Sequence, residues 1–144
     1  MAIHSGAGTV INIATTSGVP TLDLTGFQAK TYVAVGEVTN IGDFGKVFAL
    51  ITHKPIGTRY TKKLKGSYDN GKMQLAMAAD NTDAGQIVIA TAAGSDLSYA
   101  YKVVEQDGTV TYFTAQCMTF VKKISGVDSI VAMDAMLEID SNLF

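Results

Sequence analysis

Ser129-Ile130-Val131-Ala132-Met133-Asp134-Ala135-Met136-Leu137-Glu138-Ile139-Asp140 is the stretch whose reading decides the fold. Counted by twos, Val131, Met133, Ala135, Leu137 and Ile139 form one wholly apolar row. Asp134, Glu138 and Asp140 share the other row with Ile130, Ala132 and Met136. Side chains on a strand point alternately to opposite faces, so this is a strand with one face in a core and one in water. The same period of two recurs upstream. Thr9 to Ala14 sets Ile11 and Ile13 against Val10, Asn12 and Ala14, and further β-branched or apolar runs cover Tyr32 to Val38, Met73 to Ala79, Leu97 to Glu105 and Thr109 to Lys122.

Turn chemistry separates these runs. Asn40, Gly42, Asp43 and Gly45 end one of them, Tyr68-Asp69-Asn70-Gly71 predicts a tight hairpin turn, and Gln106-Asp107-Gly108 predicts another. Lys46 to Lys54 and Arg59 to Lys65 flank Pro55-Ile56-Gly57 and read as a long hairpin or projecting arm. Asp83 to Ala93 reads as the one helix, with Thr82 as N-cap, Gly94 as the C′ residue and Ile87, Val88 and Thr91 on its buried stripe. The linker from Thr15 to Lys30, with Gly18, Pro20 and Gly26, is expected to wander. Seven or eight strands and one helix make the chain mainly β: a two-sheet antiparallel β-sandwich or barrel with one flanking α-helix and a long projecting loop or hairpin. All 144 residues are expected to form one domain, with 44–65 as the arm and 1–30 as its least defined part.

Composition narrows the function. Apolar residues make up 47% of the chain and charged ones only 17%, against roughly 25% in ordinary soluble domains. With a mean hydropathy of +0.22, the chain carries more apolar surface than a solitary soluble protein needs, which points to self-association. Charge is segregated. Residues 44 to 72 hold seven basic side chains (Lys46, Lys54, Arg59, Lys62, Lys63, Lys65, Lys72) and one acid, Asp69, while residues 73 to 144 hold three bases and nine acids. A basic arm beside an acidic body suits docking onto another copy, and lysines also guard an exposed strand edge. Binding of single-stranded nucleic acid through Lys62, Lys63, Lys65, Tyr60 and Tyr68 is the alternative from a different class, against which stand a single Arg in the arm and a net charge of −2.

Catalytic and ligand-binding chemistry is thinly supplied. The chain has two His, one Cys and no Trp. Cys117, in a strand context, reads as a small core residue rather than the nucleophile of a thiol hydrolase. Gly42 to Lys46 lacks the spacing of a phosphate loop. Asp80 to Thr91 mimics a calcium loop only in Asp80 and Gly85, with Thr82, Ala84 and Thr91 where oxygen-rich ligands are required. Asp134 and Glu138 lie roughly 13 Å apart along one strand, too far to act as a catalytic pair. No enzyme activity, cofactor or metal is expected. Met1 to Leu22 has no Lys or Arg to form the start of an export signal, and Ala84 to Ser95 is too short to span a bilayer core of about 30 Å, so no membrane association is expected.

Three stretches taken in order carry a resemblance: Val35-Gly36-Glu37-Val38-Thr39-Asn40-Ile41-Gly42, Asp80-Asn81-Thr82-Asp83-Ala84-Gly85-Gln86, and Gln106-Asp107-Gly108-Thr109-Val110-Thr111-Tyr112-Phe113 running towards Ser125-Gly126-Val127-Asp128. Each is turn and cap chemistry; their order and spacing resemble the tail tube (major tail) proteins of long-tailed, non-contractile bacteriophages over most of residues 32 to 140. The resemblance implies a homo-hexameric ring that stacks into the hollow tail tube of a virion, delivers DNA without binding it specifically, and meets tail tip or baseplate, tape measure and tail terminator proteins. It implies that the arm (Phe44, Lys46, Lys54, Arg59, Lys62, Lys63, Lys65) reaches the adjacent ring. It also implies an acidic lumen, for which Asp134, Glu138 and Asp140 are the candidates, since like charge keeps phosphate from sticking. Family members with an added C-terminal immunoglobulin-like domain are longer, and no such decoration is expected here. The tube protein of type VI secretion is the related alternative.

Overall fold

The computed structural model describes residues 3–18 and 23–144. Nine strands and two helices follow one another among them: β1 (Val10–Ala14), α1 (Leu24–Gln28), β2 (Tyr32–Ala34), β3 (Val38–Asn40), β4 (Val47–His53), β5 (Lys62–Asp69), β6 (Lys72–Ala78), α2 (Ala84–Ala93), β7 (Tyr99–Val104), β8 (Val110–Lys123) and β9 (Ala132–Ile139). Seven strands form one antiparallel sheet in the order β2-β1-β7-β8-β9-β6-β3, and β4 and β5 form a separate antiparallel pair. The chain is mainly β, as its alternation predicts.

The sheet is rolled, and the sequence of its edges shows why. β2 and β3 lie at opposite edges, yet only Val35, Gly36 and Glu37 separate them. In a flat sheet of seven strands the edges would stand about 29 Å apart, whereas the linker spans at most about 15 Å. The run from Tyr32 to Val38 is therefore not the single strand its β-branched residues predict. Its first part pairs with β1, the chain then crosses the seam, and its last part pairs with β6. Glu37 makes the crossing in the left-handed region at φ 58°, while Val35 stays buried and Gly36 sits beside Asp83.

Helix α2 fastens that seam. Its N-cap is Asp83 rather than Thr82: Asp83 Oδ2 accepts from Gln86 N at 3.0 Å and also from Gly36 N at 3.0 Å. Gln86 is buried and fully used, its Nε2 donating to Gly36 O (3.1 Å) and Ala78 O (2.8 Å) and its Oε1 accepting from Asp80 N (3.0 Å). Gly85 is obligatory here, since a Cβ would collide with Ala34 O and Val35 Cα. Two of the three stretches that carry the family resemblance thus meet in space as one fastening. The helix buries Gly85, Gln86, Ile89 and Ala92, so the predicted stripe is rotated: Ile87 and Thr91 point to solvent. Gly94 ends the helix at φ −87°, not in a left-handed C′ conformation.

Two layers of apolar packing result. The inward rows of the strands, among them Ile11 and Ile13, Met73, Leu75 and Met77, Tyr101, Phe113, Leu137 and Ile139, meet α2 in the main core. The alternation of β9 is realised, with Met133, Ala135, Leu137 and Ile139 buried. On the opposite face of β1, β7 and the first half of β8, a second cluster of Ala14, Phe27, Ala100 and Tyr112 packs with Phe144. Phe27 comes from α1, capped by Asp23 within the linker predicted to wander, and its ring lies 5.3 Å from that of Phe144. Pro20 of that linker lies outside the described residues.

Candidate functional site

The β4–β5 hairpin is the predicted arm, and its register, His53 opposite Lys62 and Ile51 opposite Leu64, confirms the two flanking runs as one ribbon. All seven residues of β4 are exposed, and in β5 only Gly66 is partly covered. Leu50 and Lys65 share one face, and Ile51, Leu64 and Lys62 the other. Both faces therefore combine apolar and basic side chains, and neither is laid on the body. Burying one such Leu or Ile contributes about 1.5–3 kcal/mol, which the isolated chain forgoes along this whole ribbon.

The predicted arm residues divide in two. Lys54, Arg59, Lys62 and Lys63 stand at the far end and form no ion pair among the described residues. Lys46 and Lys65 lie over the rings of Tyr68 (4.7 Å) and Phe48 (4.8 Å) in the stem. Phe44 is not on the arm at all: its ring packs 6.0 Å from Phe113, against the main core. The stem aromatics thus have lysines of the same hairpin on their faces, which leaves little surface for stacking bases.

A set of residues that sequence reading passed over fixes the arm's root. Tyr68 Oη donates to Asn142 Oδ1 (2.7 Å), and Asn70 Nδ2 donates to Ser141 O (2.7 Å). Gly71 takes φ 81°, as its turn signal predicts, and accepts from Ile139 N through its carbonyl (3.1 Å). A turn at Asn70-Gly71 was readable, but the tight hairpin it predicts is not formed: β5 pairs with β4 while β6 pairs with β9 and β3, so the turn passes the chain from the ribbon to the main sheet, and nothing local announces that residues 141 and 142 return to it.

The second surface is the bare half of the sheet. α1 and Phe144 cover the outer face of β1, β7 and early β8, while the outer face of late β8, β9 and β6 has no cover among the described residues. Asp134 and Glu138 lie together there, as alternation predicts, beside Met136, Gln74 and Lys72. Each carboxylate has a lysine near it: Lys123 Nζ is 2.6 Å from Asp134 Oδ2, and Lys72 is the register partner of Glu138. Charge on this face is balanced rather than uniformly acidic. Asp140 is engaged elsewhere, past the end of β9, where its carboxylate accepts hydrogen bonds from the Ser98 and Thr114 hydroxyls.

The third feature is an open edge. β8 pairs with β7 only through Val110–Ala115, and from Gln116 to Lys123 its one partner among the described residues is β9. An unpaired edge of eight residues is a template for another strand.

The residues weighed for chemistry are dispersed. Cys117 is buried, its Sγ donates to Thr119 O (3.4 Å), and burial pushes the thiol up to about 11. Tyr101, stacked on Phe113, is likewise raised by burial. His4 bonds Glu105 (3.1 Å), far from Cys117 in the topology. Among the described residues no group of three His, Cys, Asp or Glu side chains is placed to hold a metal ion, and no helix is long and apolar enough to cross a membrane. Asp80, the start of the calcium-loop mimic, has its carboxyl held below the usual range by hydrogen bonds from Thr82.

No family model and no curated protein matches the sequence. Solved structures do match in fold. A chain of the six-fold symmetrised anti-feeding prophage (AFP) baseplate superposes with TM-score 0.66 at 10% identity, covering 100% of this chain and 97% of that one. The SPP1 tail tube gives 0.64 at 13% identity over 94% and 74%. The sheath/tube terminator structure of an extracellular contractile injection system (PVC) gives 0.63 at 8% identity over 100% and 96%. The chain shares its overall fold with chains of a prophage baseplate, a tail tube and the sheath/tube terminator structure of a contractile injection system.

Proposed function

We propose that the chain is a structural subunit that assembles as hexameric rings stacked into a hollow tail tube, part of a phage virion or injection particle, and that it is not an enzyme. One observation carries this reading: a two-stranded hairpin exposed on both faces, apolar and basic, that the chain itself leaves uncovered. Such a ribbon is satisfied only by a partner, and a ring needs a heterologous contact within its plane and a second one along its axis. In this arrangement the arm, with Lys54, Arg59, Lys62 and Lys63 at its end, supplies the axial contact. The open edge of β8 supplies a lateral one, and the bare face with Asp134 and Glu138 turns to the lumen.

A lumen wall whose lysines are offset by carboxylates lets DNA slide because it offers phosphates no net positive surface. Asp140, bound to Ser98 and Thr114, acts there as a structural residue at the rim. Baseplate or tail tip, tape measure and terminator proteins are the partners this role requires. One of the neighbouring folds comes from a contractile injection system, one from a prophage baseplate and one from a tail tube, so the tube of a contractile device is the second reading. Purification of native particles separates them: a sheath that co-purifies with this chain selects the contractile device, and a bare tube selects the non-contractile tail. Replacing Asp134 and Glu138 with Lys is expected to preserve tubes and cut DNA delivery at least tenfold. Unchanged delivery removes this face from the lumen.

A further inference from the structure

We propose that the β8–β9 tip, with the acidic turn beside it, is the surface that receives the β4–β5 hairpin of a second copy. This rests on the tube reading and names the receiving side of its axial contact. β9 supplies the geometry. Its first residue, Ala132, follows the tip, and its last, Ile139, bonds Gly71 at the root of the hairpin. Tip and hairpin therefore lie at the two ends of one strand, roughly 23 Å apart. Copies stacked in the same orientation bring the hairpin of one onto the tip of the next, a contact that repeats along an axis.

Every residue of the tip, Ile124 to Val131, is exposed. A turn closed by Ser129 N donating to Gly126 O (3.1 Å) holds Val127 fully in solvent, at 103% relative exposure. Ile124 and Ile130 are about three-quarters exposed. Three aliphatic side chains displayed together on one hairpin tip match the exposed Leu50, Ile51, Ile56 and Leu64 of the arm.

Charge gives the contact its direction. Backbone bonds from Ala79 N to Val131 O (2.8 Å) and from Ala78 N to Glu37 O (2.9 Å) set Asp80 and Glu37 beside the tip, which itself carries Asp128. None of the three forms an ion pair among the described residues. Lys123 is held by Asp134, which leaves Lys122, just before the tip in sequence, as the other base near it. The arm end offers Lys54, Arg59, Lys62 and Lys63, also without an ion pair among the described residues, so the two surfaces are opposite in charge and alike in their exposed aliphatic side chains.

Charge swapping tests the match in the full chain, read as the concentration at which tubes form by sedimentation and electron microscopy. Glu37→Lys with Asp128→Lys, and separately Lys62→Glu with Lys63→Glu, are each expected to raise that concentration about tenfold or more, and all four together to return it to within about threefold of the starting protein. Val127→Lys, at a side chain wholly in solvent, removes an apolar contact and adds repulsion toward the basic arm, and is expected to act like the tip reversal without moving the thermal transition. Tubes indifferent to the tip reversal and to Val127→Lys, or a quadruple variant no better than its halves, overturn the docking while leaving the tube reading intact. A starting protein that forms no tubes at any concentration overturns both.

Discussion

The seam of the rolled sheet and the β4–β5 hairpin are built from similar β-branched and apolar residues and could hardly be treated more differently. At the seam Asp83 and Gln86 hold the backbone of Gly36, with Gln86 alone bridging three segments and Gly85 pressed against the backbone of Ala34 and Val35. On the hairpin, Leu50, Leu64 and Ile56 stand in solvent at 65%, 63% and 105% exposure. The contrast teaches that folding and assembly are assigned to separate residues. The seam makes the subunit, and the hairpin waits for another.

The largest effect should come from the seam. Gly85→Ala forces a Cβ into the β2–β3 junction and is expected to cost about 3 kcal/mol, and Gln86→Leu removes three buried hydrogen bonds at a cost of about 2–3 kcal/mol. Chemical denaturation of either variant measures this, and a change under about 0.5 kcal/mol would erase the contrast from the folding side.

Next comes the hairpin. Leu50→Asp with Leu64→Asp is expected to leave stability within about 0.5 kcal/mol yet to raise the concentration needed for assembly about tenfold or more, equivalent to about 1.4 kcal/mol per contact. A variant that unfolds instead would show that the hairpin belongs to the body.

Smaller effects sharpen the picture. Asp134→Asn breaks the ion pair with Lys123, which is largely exposed, so a loss of only about 0.2–1 kcal/mol in the monomer is expected in a thermal melt. Cys117 should show the least. Its thiol keeps its proton until about pH 11, while an unfolded thiol ionises from about 8.5. The group's stabilising contribution is therefore complete below pH 8 and fades as the pH climbs from there toward 11. At pH 8, alkylation of the folded chain should run on the order of a hundredfold slower than that of the denatured chain. Equal rates would reopen the case for a reactive thiol.

Much of the fold was legible because period-two alternation reports directly on which face is buried. The rows of β1 and β9 followed from it, while turn chemistry marked the arm and the turn at Asn70-Gly71, which joins the ribbon to the main sheet instead of closing a β5–β6 hairpin. Local chemistry misled where tertiary contact decides. Tyr32 to Val38 looks like one strand because its residues are β-branched, and only the seam splits it at Gly36. Helix α2 is apolar around much of its circumference, so contact with β8, not the sequence, selects Ile89 and Ala92 over Ile87 and Thr91 for burial. Helix α1 hides in a linker because five residues give too little pattern, and it exists to place Phe27 beside Tyr112 and Phe144. The arm was visible as charge and turn signals. Its root on Asn142 and Ser141, and the lysines that balance Asp134 and Glu138, arise from residues distant in the chain or on neighbouring strands.

Cryo-electron microscopy of the purified protein at high concentration tests the central claim most directly. A hollow tube is expected, with each β4–β5 hairpin crossing to the next ring and the face bearing Asp134 and Glu138 toward the bore. A protein that stays monomeric at millimolar concentration, or a closed oligomer whose hairpins remain free in solvent, would contradict it.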